Sequence, residues 1–99
     1  MSKLRKQAQN RPCQIRSEYC NHDPATTVLC HIHKPSISGG MGMKANDMLA
    51  AHGCSACHDY VDGRTKLAFH SKTERDLYLY EGCFRTQKIL ADEGKIGVL

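Results

Sequence analysis

The chain has 99 residues, a formal net charge of +4 and 40% hydrophobic residues, with no tryptophan. A chain of this size predicts one small domain with a limited apolar core, and such domains usually need a disulfide or a metal for stability. No segment approaches the ~20 apolar residues of a membrane span, and residues 1–11 contain no apolar run. We therefore expect neither a membrane anchor nor a secretory signal.

These features predict a cytoplasmic protein, in which disulfides are rare and clustered cysteines are typical of metal sites. The first residues are rich in basic side chains, namely Lys3, Arg5, Lys6, Arg11 and Arg16. A basic amino-terminal arm over residues 1–12 favours a polyanionic partner, most simply nucleic acid, although a solvated tail has the same composition. Residues 13–99 are expected to form a single domain.

The first half of the chain contains one clear strand signal. Residues 1–12 predict an arm or short helix, and the β-branched and apolar residues 26–32 predict a strand. The glycines of residues 34–46 predict a flexible loop. Asp47 is expected to cap a short helix over residues 48–52.

The second half predicts a helical turn and a long helix. Residues 57–62 form the turn, which Gly63 is expected to close. Ser71 and Glu74 have the spacing of a capping box, so a helix of about twenty residues should begin there and end at Gly94. Within it, the large side chains share one face because they are spaced by three and four residues: Leu77, Tyr80 and Phe84.

Four cysteines in two pairs predict a structural zinc site. Cys54 and Cys57 form a C-x2-C motif, and Cys13 and Cys20 form a second, more widely spaced pair. Zn²⁺ takes four thiolates without a geometric preference of its own, so one ion can join both pairs and replace apolar core. His22 is an alternative fourth ligand.

Two histidines suggest a second, catalytic centre. His58 directly follows the C-x2-C motif, and Asp62 lies four residues later, on the same face of a helix. A His and a carboxylate at this spacing can bind a hard divalent ion such as Mg²⁺ or Mn²⁺. His31, near the end of the predicted strand, can act as the general base that activates water, and Arg64 can bind a phosphate.

This pattern resembles the HNH, or ββα-metal, endonucleases. In that family a hairpin presents a histidine base, and a helix begins at a C-x2-C-H motif. More narrowly, the whole chain is similar to the YbcO family of small phage and prophage proteins, described as candidate nucleases. The segments that carry this similarity are His31-Ile32, a glycine-rich loop over Ser38 to Met43, Cys54 to Asp59, and Asp62 to Thr65.

The chain departs from the usual HNH pattern at two places. Cys30 occupies the position of an acidic or second His ligand, and Asn46 and Asp47 lie earlier than the Asn that usually precedes the C-x2-C motif. Asp47 is therefore a candidate ligand of the catalytic ion, a brace for the loop, or the cap of a helix.

Together these observations predict a small α+β domain, a zinc-stabilised ββα-metal (HNH-like) unit with a long carboxy-terminal helix. The expected function is metal-dependent endonuclease activity on nucleic acid, with DNA the expected substrate. The resemblance implies a role in phage recombination or DNA processing, with a phage or host recombination protein as a further candidate partner. The alternatives are a non-catalytic zinc-stabilised module that binds DNA or protein and, less favoured, a thiol redox protein.

Overall fold

The structure is a computed structural model, and it describes residues 3–32, 47–65 and 70–96. The helices are α1 (Lys3–Ala8), α2 (Ser55–Val61) and α3 (Lys72–Asp92), and the strands are β1 (Val28–His31) and β2 (Ala50–Gly53). A 3₁₀ turn over Pro24–Thr26 leads into β1. Among these segments, no helix is both long enough and apolar enough to cross a membrane. The architecture is a small α+β fold, as predicted.

The two strands form an antiparallel sheet that places His31 opposite Ala50 and Val28 opposite Gly53. The predicted strand is confirmed as β1, but the predicted helix over residues 48–52 is wrong, because β2 occupies most of that segment. Every residue of β2 is buried, between β1 along its edge and α3 across its face. Strand pairing and burial therefore override the helix propensity of Ala50 and Ala51.

Both ends of α3 lie where the sequence predicts them. Ser71 Oγ accepts a hydrogen bond from the Glu74 backbone N–H at 3.2 Å, and Gly94 has a φ of +73° just beyond the last turn. The three large side chains predicted to share one face of α3 differ in burial, and Tyr80 is partly buried against the core. Leu77 and Phe84 are 56% and 68% exposed, whereas the residues that pack inward are Leu79, Gly82, Cys83, Thr86 and Leu90.

The centre of the core is the segment that follows Pro12. Ile15 is fully buried against two glycines that leave room for it. A Cβ added to Gly53 would lie 2.5 Å from Ile15 Cδ1, and one added to Gly82 would lie 3.0 Å from Ile15 Cα. Gly82 therefore allows α3 to approach β2 and residues 14–15 closely, and Gly53 leaves room for the side chain of Ile15.

Ala8 and Arg11 help to attach the N-terminal segment to the domain. Ala8 is 1% exposed and packs with Leu29 and Ala50. Arg11 donates two hydrogen bonds to the carboxylate of Glu93, at 2.6 and 2.7 Å. This bidentate pair raises the pKa of Arg11 and lowers the pKa of Glu93. It links the residues after α1 to the end of α3.

Candidate metal centre and catalytic site

The fold brings the two predicted cysteine pairs together. The Sγ atoms of Cys13, Cys20, Cys54 and Cys57 all lie within 4.8 Å of one another, and those of Cys20 and Cys54 are 3.7 Å apart. Thiolates bound to one tetrahedral zinc at ~2.3 Å are about 3.8 Å apart. The four cysteines can therefore hold a metal ion, and their soft sulfur ligands suit zinc.

Local backbone geometry supports the cysteine cluster. Arg16 and His22 have φ values of +56°, which turns the chain back after Cys13 and after Cys20. The backbone N–H groups of Asn21 and Cys57 point at Cys54 Sγ, at 3.5 and 3.3 Å. Such donors stabilise negative charge on sulfur and orient the ligands of a metal.

The thiols of the cluster influence one another electrostatically. Interaction with Cys57 lowers the pKa of the Cys13 thiol to about 4, and the same contact raises the pKa of Cys57. Desolvation is the main cause of the raised pKa of Cys20. Without a metal the cluster therefore favours one thiolate among thiols, and a bound cation would favour deprotonation of the other thiols.

His31, the predicted general base, has a carboxylate partner. Its Nε2 lies 2.7 Å from Oδ1 of Asp47, and both side chains are largely buried, with 15% and 20% exposure. Arg5 Nε lies 3.8 Å from the same oxygen. In the neutral imidazole, a donating Nε2–H leaves Nδ1 as the unprotonated nitrogen, so Asp47 can fix the tautomer of His31.

His58 and Asp62 are together on α2 and the residue after it, as the i,i+4 spacing predicts. His58 Nε2 lies 3.2 Å from Asp62 Oδ2, and Arg64 Nη2 lies 3.2 Å from the same oxygen. Arg64 also pairs with Asp59, at 2.9 Å. Adjacent ligands of one octahedral ion are separated by about 3 Å, so the spacing of His58 and Asp62 suits a shared divalent ion.

These groups line two clefts. The first, of about 410 Å³, is lined by His31, Asp62 and Arg64 together with residues at the start of α3. The second, of about 450 Å³, is lined by His31, His58, Arg5 and residues of β1. His31 lines both clefts.

The structure thus brings together all the sequence-predicted residues of the second centre: His31, Asp47, His58, Asp62 and Arg64. His22 is exposed and is not part of the cysteine cluster. Asn46 and the glycine-rich loop lie outside the described residues. Asp47 does not cap a helix, because a strand follows it.

The contribution of α3 to the first cleft was not predicted from the sequence. The cleft is lined by four residues from the amino-terminal part of this helix: Lys72, Arg75, Asp76 and Tyr80. The last three lie three, four and eight residues after Lys72, which places all four on one face of the helix. This periodicity is the sequence signal from which their common position could have been predicted.

A second cluster, also missed, surrounds His70. Its Nδ1 contacts the hydroxyl of Tyr60, and its Nε2 lies 2.9 Å from Glu18. The ring of Tyr60 is fully buried and packs against Tyr19 and Tyr78. Desolvation raises the pKa of Tyr60 to about 12, so its phenol stays protonated. This cluster therefore packs α2 against α3 and the residue 18–19 turn.

Comparison with known proteins identifies the family. The family model described as "Putative nuclease YbcO" matches residues 2–95. This chain belongs to the YbcO family. Two relatives with that name, from Escherichia coli (strain K12) and Enterobacteria phage 82, are each 41% identical over 97 residues, covering 97% of this chain and 98% of the relative.

A solved structure is also similar to this YbcO-family chain. It is described as "Structure of a putative bacteriophage protein from Escherichia coli str. K-12 substr. MG1655". Its identity to this chain is 41% and the TM-score is 0.74, with 93% of this chain and 100% of the other covered. The family membership and the fold therefore agree over nearly the whole chain.

Proposed function

We propose that this protein is a metal-dependent endonuclease of HNH type that hydrolyses phosphodiester bonds in DNA. The observation that carries the proposal is the pair of His31 and Asp47, in which His31 lines one cleft together with Asp62 and another together with His58. The names of the relatives support a nuclease. The order of β1, β2 and a helix beginning at the C-x2-C-H motif supports the HNH type.

In this proposal, His31 accepts a proton from water at Nδ1 while Asp47 holds its Nε2–H. The oxygen of that water attacks phosphorus, and the bond from phosphorus to the leaving oxygen breaks. A divalent ion held by His58 and Asp62 would supply positive charge for the scissile phosphate and the leaving oxygen. Arg64 is paired with Asp62 and Asp59, and it can turn one N–H donor toward a phosphate oxygen.

The cysteine cluster has a structural role in this proposal. All four ligand positions would be filled by protein sulfur, and closed sites of this kind stabilise the fold, whereas catalytic zinc sites keep a position open for water. Its role is to fix the amino end of α2. Because Cys57 directly precedes His58, the metal centre also sets the position of the catalytic pair.

The proposal is tested by a plasmid-cleavage assay with Mg²⁺ or Mn²⁺, comparing the wild type with His31→Ala. We expect the wild type to cleave, and His31→Ala to lose cleavage while keeping its zinc content and circular dichroism spectrum. Removing a general base typically costs 10²- to 10⁴-fold in rate. The matched control is His22→Ala, which removes an exposed histidine outside both clefts.

The same assay distinguishes the endonuclease from the alternative function, a non-catalytic zinc-stabilised module. If zinc-loaded wild type cleaves neither DNA nor RNA with either ion but binds nucleic acid, the enzyme proposal is wrong and the binding module replaces it. Equal cleavage by the wild type and His31→Ala would leave an endonuclease whose base is another residue. A role in phage recombination or DNA processing would follow from the cleavage specificity.

A further inference from the structure

The cations of the first cleft differ in how their charge is compensated. Arg64 pairs with Asp59 and Asp62, and Lys72 pairs with Asp76 at 2.8 Å. Arg75, which lines the same cleft, has no carboxylate partner among residues 3–32, 47–65 and 70–96. Among the arginine and lysine side chains of this cleft, Arg75 is therefore the one without a carboxylate partner in the described part of the protein.

The side chain of Arg75 is also partly desolvated. Its Nε is buried and has no hydrogen-bond acceptor in the part of the chain that the structure describes. A buried donor without an acceptor costs free energy, and native folds retain few of them. A charged guanidinium without a carboxylate partner favours an anionic ligand that accepts from its N–H donors.

The position of Arg75 is defined by the turn after α2. Gly63 has a φ of +79°, and a Cβ added there would lie 2.6 Å from Nη1 of Arg75. The guanidinium thus lies directly against the backbone of Gly63, one residue before Arg64. Arg64 and Arg75 line the same cleft from different parts of the chain, and an anion bound there would be attracted by both charges.

We infer that Arg75 forms a phosphate-binding subsite on α3, which engages a backbone phosphate of the nucleic acid next to the scissile one. The planar guanidinium can donate two parallel hydrogen bonds to phosphate oxygens, in the bidentate geometry that arginine favours. The substrate assignment rests on the proposed function, but the phosphate subsite itself does not. Arg75 is a positioning residue here, because it acts on the neighbouring phosphate and not on the reacting atoms.

The first test is binding of a short fluorescein-labelled DNA duplex, measured by anisotropy at several salt concentrations without added divalent ion. Each lost phosphate contact lowers the slope of log affinity against log salt by about 0.9. We expect Arg75→Gln to bind roughly tenfold more weakly with this reduced slope. Lys88→Gln, which makes the same charge change at an exposed position of α3 outside the cleft, should bind like the wild type.

The second test reads the subsite without nucleic acid. The side-chain Nε–H resonance of Arg75, assigned by its absence in Arg75→Lys, is followed by nuclear magnetic resonance during titration with inorganic phosphate. We expect a saturable shift of this resonance, whereas that of Arg85, outside the cleft, should not move. Circular dichroism and zinc content verify that each variant is folded. If Arg75→Gln is unstable, the binding test uses Arg75→Lys, which keeps the charge and should keep the salt slope.

The outcomes separate the subsite from the proposed function. A stationary Arg75 resonance, or equal binding and slope for Arg75→Gln and Lys88→Gln, would overturn the subsite even if the wild type cleaves DNA. A shifted resonance in a protein that does not cleave would retain the subsite and reject the endonuclease. If phosphate shifts Arg75 but the wild type binds no duplex, the subsite stands and its assignment to nucleic acid falls.

Discussion

At the scale of single residues, the catalytic proposal depends on the orientation of one imidazole. His31 ends β1, and the carboxylate that holds it belongs to Asp47, sixteen residues later. The contact is short, and both side chains are largely buried. Asp47 therefore restricts both the rotamer and the tautomer of His31.

We predict that Asp47→Asn lowers the cleavage rate about 10- to 100-fold, the effect typical of carboxylates that orient functional histidines. An amide can present its N–H₂ to Nε2 and so favour the wrong tautomer. The measurement is single-turnover cleavage at saturating protein. Asp92→Asn, the same change at an exposed position of α3, is the control, and equal rates for both variants would contradict the role of Asp47.

His52 determines a pH dependence of stability. Its ring is fully buried on β2, and neither nitrogen has a hydrogen-bond partner among the described residues. Desolvation, with a smaller contribution from Arg11, lowers the pKa of His52 to about 4, against about 6.5 in an unfolded chain. The unfolded state therefore binds a proton first as the pH falls.

The contribution of neutral His52 to the free energy of unfolding should be fully present above pH ~6.5. It should be lost as the pH falls from there toward about 4. The upper bound of this loss is about 3 kcal/mol. We predict that urea unfolding of His52→Leu changes less between pH 7 and 5 than that of the wild type. Both proteins keep the cysteine cluster, so metal release at low pH affects them alike. If the free energy of unfolding changes equally with pH in both proteins, the prediction is wrong.

At the scale of elements, the contact between α3 and β2 determines the fold. Gly82 lies on the buried face of α3, where an added Cβ would meet Ile15 Cα at 3.0 Å and Ala51 Cβ at 3.1 Å. Backbone atoms cannot move aside as a flexible side chain can. The spacing between helix and sheet is therefore set by the absence of a side chain at this position.

We predict that Gly82→Val destabilises the protein by about 2 kcal/mol, because overpacking outweighs the higher helix propensity of valine over glycine. Glu81→Val places the same side chain on the exposed neighbouring position and should change the free energy of unfolding by less than about 1 kcal/mol. Chemical denaturation of both variants measures the difference. Equal stability would show that α3 can move away from the sheet.

At the scale of the whole molecule, the cysteine cluster joins segments that are distant in the sequence. Cys13 and Cys20 precede β1, whereas Cys54 and Cys57 lie at the start of α2. Cys54 and Cys57 also belong to the main core, next to Ile15 and Cys83. A bound metal would therefore stabilise the same region that the apolar contacts stabilise.

We predict one zinc ion per chain, and loss of the cooperative thermal transition when a strong chelator removes it, since metal binding contributes directly to folding in small domains. Cys20→Ser should lose zinc and unfold similarly. Cys83→Ser, at a buried cysteine outside the cluster, is the control and should retain zinc. Metal analysis with calorimetry measures both effects, and an unchanged transition after chelation would contradict the prediction.

The sequence by itself determined the features that depend on local spacing. The capping box at Ser71, the positive φ of Gly63 and Gly94, and the register of His58 with Asp62 each involve residues within one or two helical turns. The strand β1 was also predictable, because β-branched and apolar residues favour it locally. The cysteine spacing also predicted that the two pairs come together, since one tetrahedral ion would need all four sulfur atoms close to one another.

Only the tertiary structure decided the features that depend on distant partners. Ala50 and Ala51 form a strand because β1 and α3 bury them, although their intrinsic preference is helical. The pairing of Asp47 with His31, the central position of Ile15 and the placement of Arg75 beside Gly63 likewise arise from contacts between segments far apart in the chain. Local propensities are worth less than 1 kcal/mol per residue, whereas burial and pairing contribute several.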